Sequence, residues 1–266
     1  LSVPASGDCI YFMQKYIMDF LSSCGVYGQM DELGNIYIVK GKAKYYPCLT
    51  AHMDTVHRYA TPQVVESFDE KCNSKVFTAE EGIGGDDKVG IFVCLSLLKQ
   101  LDTVKIVFFN GEESGGTGSD GAIDSFFEDI GYMLAIDRNG NSDYVNNYLG
   151  EPSTTKKFDD KIKHILDWFG YKETTGMFTD VFNLKENEKI DVCGCNFSCG
   201  YYLSHTTSEY VVEREVYRVI RMILKMIKRL GHKKYEHTFE YSYSYKKYTS
   251  GLYGSMAKNT SHTKGY

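Results

Sequence analysis

Apolar positions recur along this chain in two distinct patterns. Ile10, Met13, Ile17, Phe20 and Leu21 repeat at the three- and four-residue spacing of one helical face, with Ser6 and Asp8 placed to cap it and Gly25 to end it. The clearest helix is the last. Val216, Val219, Ile220, Ile223, Ile227 and Leu230 form its apolar stripe, Arg214, Arg218, Arg221, Lys225 and Lys228 its solvated face, and Gly231 its stop. Val104–Phe109 is instead an unbroken apolar run with β-branched residues, the pattern of a strand covered on both faces. Cys48–Ala51, Tyr132–Ile136 and Ile190–Cys195 read the same way. Helical periodicity fills Val89–Leu101, Ser119–Phe127, Asp159–Phe169 and Asp180–Leu184. A strand pair surrounds Asp31–Asn35, and Val64–Phe77 reads as a hairpin turning near Asn73 and Ser74.

Helices alternating with buried strands predict an α/β fold: three layers, α/β/α, around a mixed, largely parallel central sheet. Ligands of such sheets sit at the carboxyl ends of the strands. His52, the Glu112-Glu113 pair and Asp137 each fall at or just past a predicted strand end, so separate segments bring polar groups to one rim. Net charge is −5 over 266 residues, which gives no field to attract nucleic acid or anionic lipid. No apolar run is long enough to span a bilayer, and LSVPASGD lacks a basic region followed by an apolar one. Eight cysteines in a chain without an export signal predict free thiols and a cytoplasmic location. Three of them, in CGCNFSC, lack the paired CxxC spacing of a structural zinc site and read as small core residues of a strand. From residue 236 to 266 the composition turns to Tyr, Ser and Lys, the character of a tail; Lys246 and Lys247 among tyrosines are a weak match to a single-strand binding surface.

Chemistry concentrates in five blocks: AHMDTV, GIGGDDKVG, FFNGEESGG, AIDRNG and SHTTSEY. They contain His52, Asp86, Glu112, Glu113, Asp137 and His205, the imidazole and carboxylate mixture that binds divalent metal. Three carboxylates and one further anion would neutralise two dications, which allows such a pair to exist inside a protein. The glycines of EESGGTGS are turn residues, since the GK[ST] ending of a phosphate loop is missing.

In order and spacing these blocks resemble the di-zinc exopeptidases, especially the peptidase T and glutamate carboxypeptidase branch, from about residue 35 to 230. The resemblance implies that His52, Asp86 and Asp137 hold one metal, that Asp86, Glu113 and His205 hold the other, and that Asp86 bridges. It also implies Glu112 as general acid/base, Asp54 as the carboxylate behind His52, and a cis Asp86–Asp87 peptide. Zn²⁺ is the metal expected, although the same donors suit Co²⁺ and Mn²⁺.

One departure stands out. Dimeric members of that branch insert a lid domain between the third Asp and the final His. Here Asp137 and His205 lie too close in sequence to enclose one, and NYLGEPSTT reads as a loop where it would leave. Residues 1–235 therefore read as a single, lidless metallopeptidase domain, a monomer rather than a lid-mediated dimer. A lid would supply an oxyanion donor and an Arg for the substrate carboxylate. Tyr201 or Tyr202 is the candidate for the first, Arg138 for the second, and the Thr179-Asp180 turn resembles a substrate-side loop. Asp at position 137 is the family's usual residue in amino-, di- and tripeptidases. The expected substrate is thus a short peptide cleaved at its amino end, with no nucleic-acid or membrane partner. An N-acyl amino-acid deacylase or carboxypeptidase on the same metals is the alternative, and an inactive binding or scaffold protein is the alternative of another class.

Overall fold

The computed structural model describes residues 1–57 and 63–239. Helix α1 (Ile10–Ser23) is followed by β1 (Gly28–Met30), β2 (Ile36–Lys40), β3 (Tyr46–His52), β4 (Val65–Asp69) and β5 (Ser74–Thr78). Then come α2 (Gly85–Gln100), β6 (Val104–Phe109), the short α3 (Thr117–Asp120), β7 (Ile130–Arg138), β8 (Asp143–Tyr148) and β9 (Glu151–Pro152). The chain continues through α4 (Lys156–Trp168), β10 (Lys172–Gly176), α5 (Asp180–Glu186), β11 (Gly194–Ser198), β12 (Tyr201–Tyr202), β13 (Tyr210–Val212) and α6 (Glu213–Leu230).

Among the described residues a nine-stranded sheet runs β1-β2-β6-β3-β7-β11-β8-β10, with β9 paired to β8. Its centre, β6-β3-β7-β11, is parallel, and the direction reverses at β2 and at β8. Strand alternation divides the core in two. Leu49, Ala51, Ile106, Phe108, Leu134 and Ile136 pack with the apolar stripes of α1, α2, α4 and α6. Cys48, Val107, Phe109, Met133 and Ala135 pack with α5 and the 122–127 segment on the other face. This is the three-layer α/β/α arrangement expected.

Register sets up the site. His52 is level with Phe109, and Thr50 with Ala135, so β3, β6 and β7 all finish at one height. A four-stranded antiparallel sheet, β12-β13-β5-β4, stands beside α2 and α6. Only its β4–β5 hairpin was expected; its β12–β13 hairpin carries His205 in the connecting turn.

Other expectations need correction. Ser119–Phe127 is not one helix: α3 ends at Gly121, and a separate 3₁₀ turn covers Asp124–Phe126. Glycines at 118 and 121 weaken a helix interior enough to break it there. The last core strand is β11 rather than Ile190–Cys195. Residues 192 and 193 instead bond to Tyr235 and Glu236, an equally buried place that periodicity cannot distinguish. Residues 147–155 form no loose loop, because β8 turns into β9 through Leu149 and Gly150, both at positive φ. Ser6 makes no capping bond to α1 and precedes a 3₁₀ turn at Gly7–Cys9. Of the tail expected from residue 236, Glu236 bridges Val192 and the His237 N–H donates to Asp191 O; the remainder, from 240 on, lies outside the described residues. All eight cysteines are free, with Cys193, Cys195 and Cys199 buried. No helix among the described residues is long and apolar enough to cross a membrane.

Candidate metal centre

Five segments converge at the carboxyl end of the parallel strands. His52 ends β3 and Asp137 lies at the end of β7, each continuing the alternation that faces the α5 layer. Glu112 and Glu113 follow β6. Asp86 lies in the irregular first turn of α2, where Gly84 is left-handed, Asp86 and Asp87 have non-helical dihedrals, and the Asp86–Asp87 peptide is cis as expected. His205 comes from the β12–β13 turn with φ +65°, uncommon for a residue with a side chain.

The distances divide these groups into two trios. His52 Nε2 lies 3.0 Å from Asp86 Oδ1 and 3.4 Å from Asp137 Oδ1. His205 Nε2 lies 2.8 Å from Glu113 Oε1 and 3.3 Å from Asp86 Oδ2. Asp86 thus offers one oxygen to each. In each trio the ligand atoms lie within 4.8 Å of one another, close enough to surround one ion. Glu112 Oε2 is 4.0 Å from His52 Nε2, and Glu112 joins neither trio, although His52, Glu112 and Glu113 form a third grouping within the same 4.8 Å. His52 is 1% exposed and the His205 side chain 52%, so one trio is enclosed and the other opens to solvent.

The electrostatics fit a cation site. Burial, reinforced by Glu112 and Asp86, pushes the Asp137 carboxyl up to about 7. Burial likewise lifts Glu113 to about 7 and raises Glu112. His205 is raised to about 9, chiefly by Asp86. At His52 burial opposes the charge, but Asp137, Asp54 and Asp86 together hold it well above the usual range. Burial also opposes charge on Asp86, yet the two imidazoles hold that carboxyl below the usual carboxylate range. The cluster therefore draws positive charge, and protons are all the chain itself supplies. Glu113 Oε1 is buried without a hydrogen-bond partner although His205 Nε2 lies 2.8 Å away, an oxygen free to join that imidazole in holding a cation. Donor set, grouping and orphaned oxygen fit two divalent metals.

Surrounding bonds hold these ligands. His52 Nδ1 lies 2.9 Å from the backbone carbonyl of Asp54, fixing the ring with Nε2 toward the site. The Asp54 carboxylate is 3.7 Å from that nitrogen, too long for a hydrogen bond. It accepts instead the backbone N–H groups of Gly111 (2.9 Å), Glu112 (3.1 Å) and Glu113 (3.1 Å). Asp54, expected to buttress His52 through its carboxylate, is thus the anchor of the Glu112-Glu113 turn.

Three supporting residues went unnoticed in the sequence. Asp87 accepts the His52 and Gly90 N–H groups, at 3.2 and 3.0 Å. Asn196 accepts the Asp137 N–H at 2.9 Å and donates to the Asp137 carbonyl at 2.7 Å. Glu209 lies under the Asp86 turn. Two of them sit inside the quoted blocks, GDDKVG and SHTTSEY, and that adjacency was the only available signal.

The candidate substrate residues fare unevenly. Tyr201 is buried with its hydroxyl 3.5 Å from Asp137 Oδ1. Tyr202 is not brought to the cluster: its hydroxyl donates to Glu215 and its ring stacks on Tyr210. Arg138 is engaged twice by Asp143 Oδ2, at 2.9 and 3.0 Å, an ion pair within the fold. Asp180 is buried at the start of α5, with Oδ1 making no hydrogen bond; burial and then Glu112 push its carboxyl well up.

Solved structures share this fold. Aminopeptidase PepT from Bacillus cereus ATCC 10987 superposes with a TM-score of 0.69 at 13% identity, covering 86% of this chain and 95% of that one. A tripeptidase from Staphylococcus aureus gives 0.66 at 14%, covering 86% and 95%. The TET aminopeptidase of Thaumarchaeota archaeon SCGC AB-539-E09 gives 0.64 at 11%, covering 83% and 92%. No curated protein matches in sequence. The model of Peptidase family M28, however, matches residues 36–209, more than half of the chain and every residue of both trios. The chain belongs to peptidase family M28, a metallopeptidase family.

Proposed function

We propose that this protein is a two-metal aminopeptidase that removes the N-terminal residue of short peptides. The observation that carries the reading is the sharing of Asp86, whose two carboxylate oxygens face two different imidazoles, with Glu112 beside both trios and a member of neither. In this reading His52, Asp86 and Asp137 hold one ion and Asp86, Glu113 and His205 the other. Zn²⁺ is the proposed metal. Bound there, the ions supply Lewis acidity toward water and the scissile carbonyl. Glu112 takes the proton from the attacking water and returns it to the leaving amine. Burial already raises its carboxyl, and a base must be able to hold a proton between the two steps. Asp54 keeps Glu112 in place through the turn backbone. Tyr201, against Asp137, supports that ligand from beneath.

The preference for a free amino end rests on Asp at position 137 and on the likeness to aminopeptidases. It is tested with matched free-amino and N-acetyl dipeptides. Hydrolysis should be confined to the free-amino set, be abolished by chelation and return with Zn²⁺ or Co²⁺. Preferential cleavage of the acetylated set would make the protein an acyl-amino-acid deacylase instead. The proposed assembly is a monomer without a lid and the proposed location cytoplasmic; light scattering of the purified chain and fractionation of the source cells check these.

A further inference from the structure

One carboxylate links three of the segments that deliver the ligands without touching a ligating atom. Glu209 is 0% exposed. Its Oε1 accepts the backbone N–H of Asp86 at 3.0 Å, and its Oε2 accepts that of Gly84 at 2.8 Å. The same Oε2 lies 2.7 Å from His57 Nε2. His57 belongs to the stretch leaving β3 just after His52 and Asp54, and Glu209 itself closes the turn that carries His205.

The stretch before α2 needs such a partner. Gly84 is left-handed and Asp86 and Asp87 are non-helical, so their N–H groups lack regular backbone acceptors and must find others. The surroundings are tight as well. A Cβ at Gly82 would fall 2.1 Å from the His57 ring, and one at Gly85 would fall 2.8 Å from both Tyr201 Cβ and Val211 Cγ2. Glu209, His57 and the β12–β13 hairpin therefore enclose the Asp86 backbone. The direction in which Asp86 aims its two oxygens is set from this side.

We propose that Glu209, assisted by His57, is a positioning residue for the metal centre: it fixes the backbone of the shared ligand Asp86 and registers the His52, Asp86 and His205 segments against one another. The proposal rests on the two-metal reading above. It carries a signature that a ligand does not. Loss of Glu113 removes a donor from one trio, whereas loss of Glu209 misaims the one residue common to both, so both ions weaken together.

The test measures Zn²⁺ binding by calorimetry and chelator competition, beside melting of the metal-free proteins. Glu209→Gln should weaken both binding steps by about 10- to 100-fold, and peptidase activity should recover in excess Zn²⁺. Glu113→Gln should weaken one step only. His57→Phe, which keeps a ring over Gly82 but removes one contact to Glu209, should weaken both steps by less. A folded Glu209→Gln protein with unchanged affinity for both ions, or with loss confined to one, overturns the proposal. If that variant does not fold, His57→Phe decides, and unchanged affinities there overturn it. Wild-type protein that binds fewer than two ions overturns the two-metal reading itself, a result separate from these.

Discussion

Asp54 offers a sharp experiment, because its carboxylate can act on His52 or on the glutamate turn, and the structure favours the turn. Asp54→Asn keeps the backbone carbonyl that orients the His52 ring. It also keeps one acceptor oxygen for the N–H groups of Gly111 and Glu112. At Oδ2 an amide NH₂ then confronts the Glu113 N–H, donor against donor. A charge-assisted bond is lost there, worth about 1.5–3 kcal/mol, and the two that remain are weakened by the missing charge. If roughly 1.4–2.8 kcal/mol of this appears as misplacement of Glu112, kcat falls about 10- to 100-fold. Every ligating atom is still present, so the fall should persist at saturating Zn²⁺. Steady-state kinetics across a Zn²⁺ titration, with bound metal counted by mass spectrometry, measures both quantities. A variant whose kcat returns to the wild-type value once enough metal is added would refute the reasoning, showing that the carboxylate serves His52 after all.

Glu112→Gln should lower kcat by about 10²- to 10⁴-fold, the usual contribution of a general base, while binding two metals as before; substantial residual turnover would remove Glu112 from its role. Asp86→Asn should lose both ions in one step, whereas His205→Ala should lose one, which metal analysis after dialysis distinguishes. Acidity should matter mainly in the chelated protein. Asp137 and Glu113 are raised to about 7 and His205 to about 9, so each contributes stability at low pH that is lost as pH rises through those values. The melting temperature of the chelated protein should fall between about pH 5 and pH 9, and that of the zinc-loaded protein should not; parallel curves would contradict this. Asn196→Ala, which removes both bonds to the Asp137 backbone, should weaken the ion at the His52 trio and leave the His205 trio intact.

What could be read from the chain followed the strength of each local signal. Val104–Phe109 matched β6 residue for residue because an unbroken apolar run has few other places to go. The six residues gathered at the rim were singled out because their blocks resemble the di-zinc exopeptidases in order and spacing; only His52, Glu112, Glu113 and Asp137 were also marked by predicted strand ends. Strands β8 and β10, with sequences DYVNNY and KETTG, carry neither apolar run nor clean alternation, and they take their form from neighbours already in the sheet. The supporting shell was hidden for a similar reason. Glu209, Asp87 and Asn196 act on backbone N–H groups, and a backbone partner leaves no mark on residue type at the other end. The ion-pair partner of Arg138 could not be named from the sequence, because Asp143 lies in the unforeseen β8.

The common height at which β3, β6 and β7 end has a further consequence. Side chains alternate along a strand, so sliding β3 by one residue would turn His52 toward the α2 layer and put a neighbouring apolar residue in its place. Ligand placement and strand pairing are therefore a single specification, and the chain cannot fold with its centre slightly out of line. Only the rim segments that carry no candidate ligand escape this constraint: they can lengthen, shorten or change sequence while His52 and Asp137 stay where β3 and β7 stop.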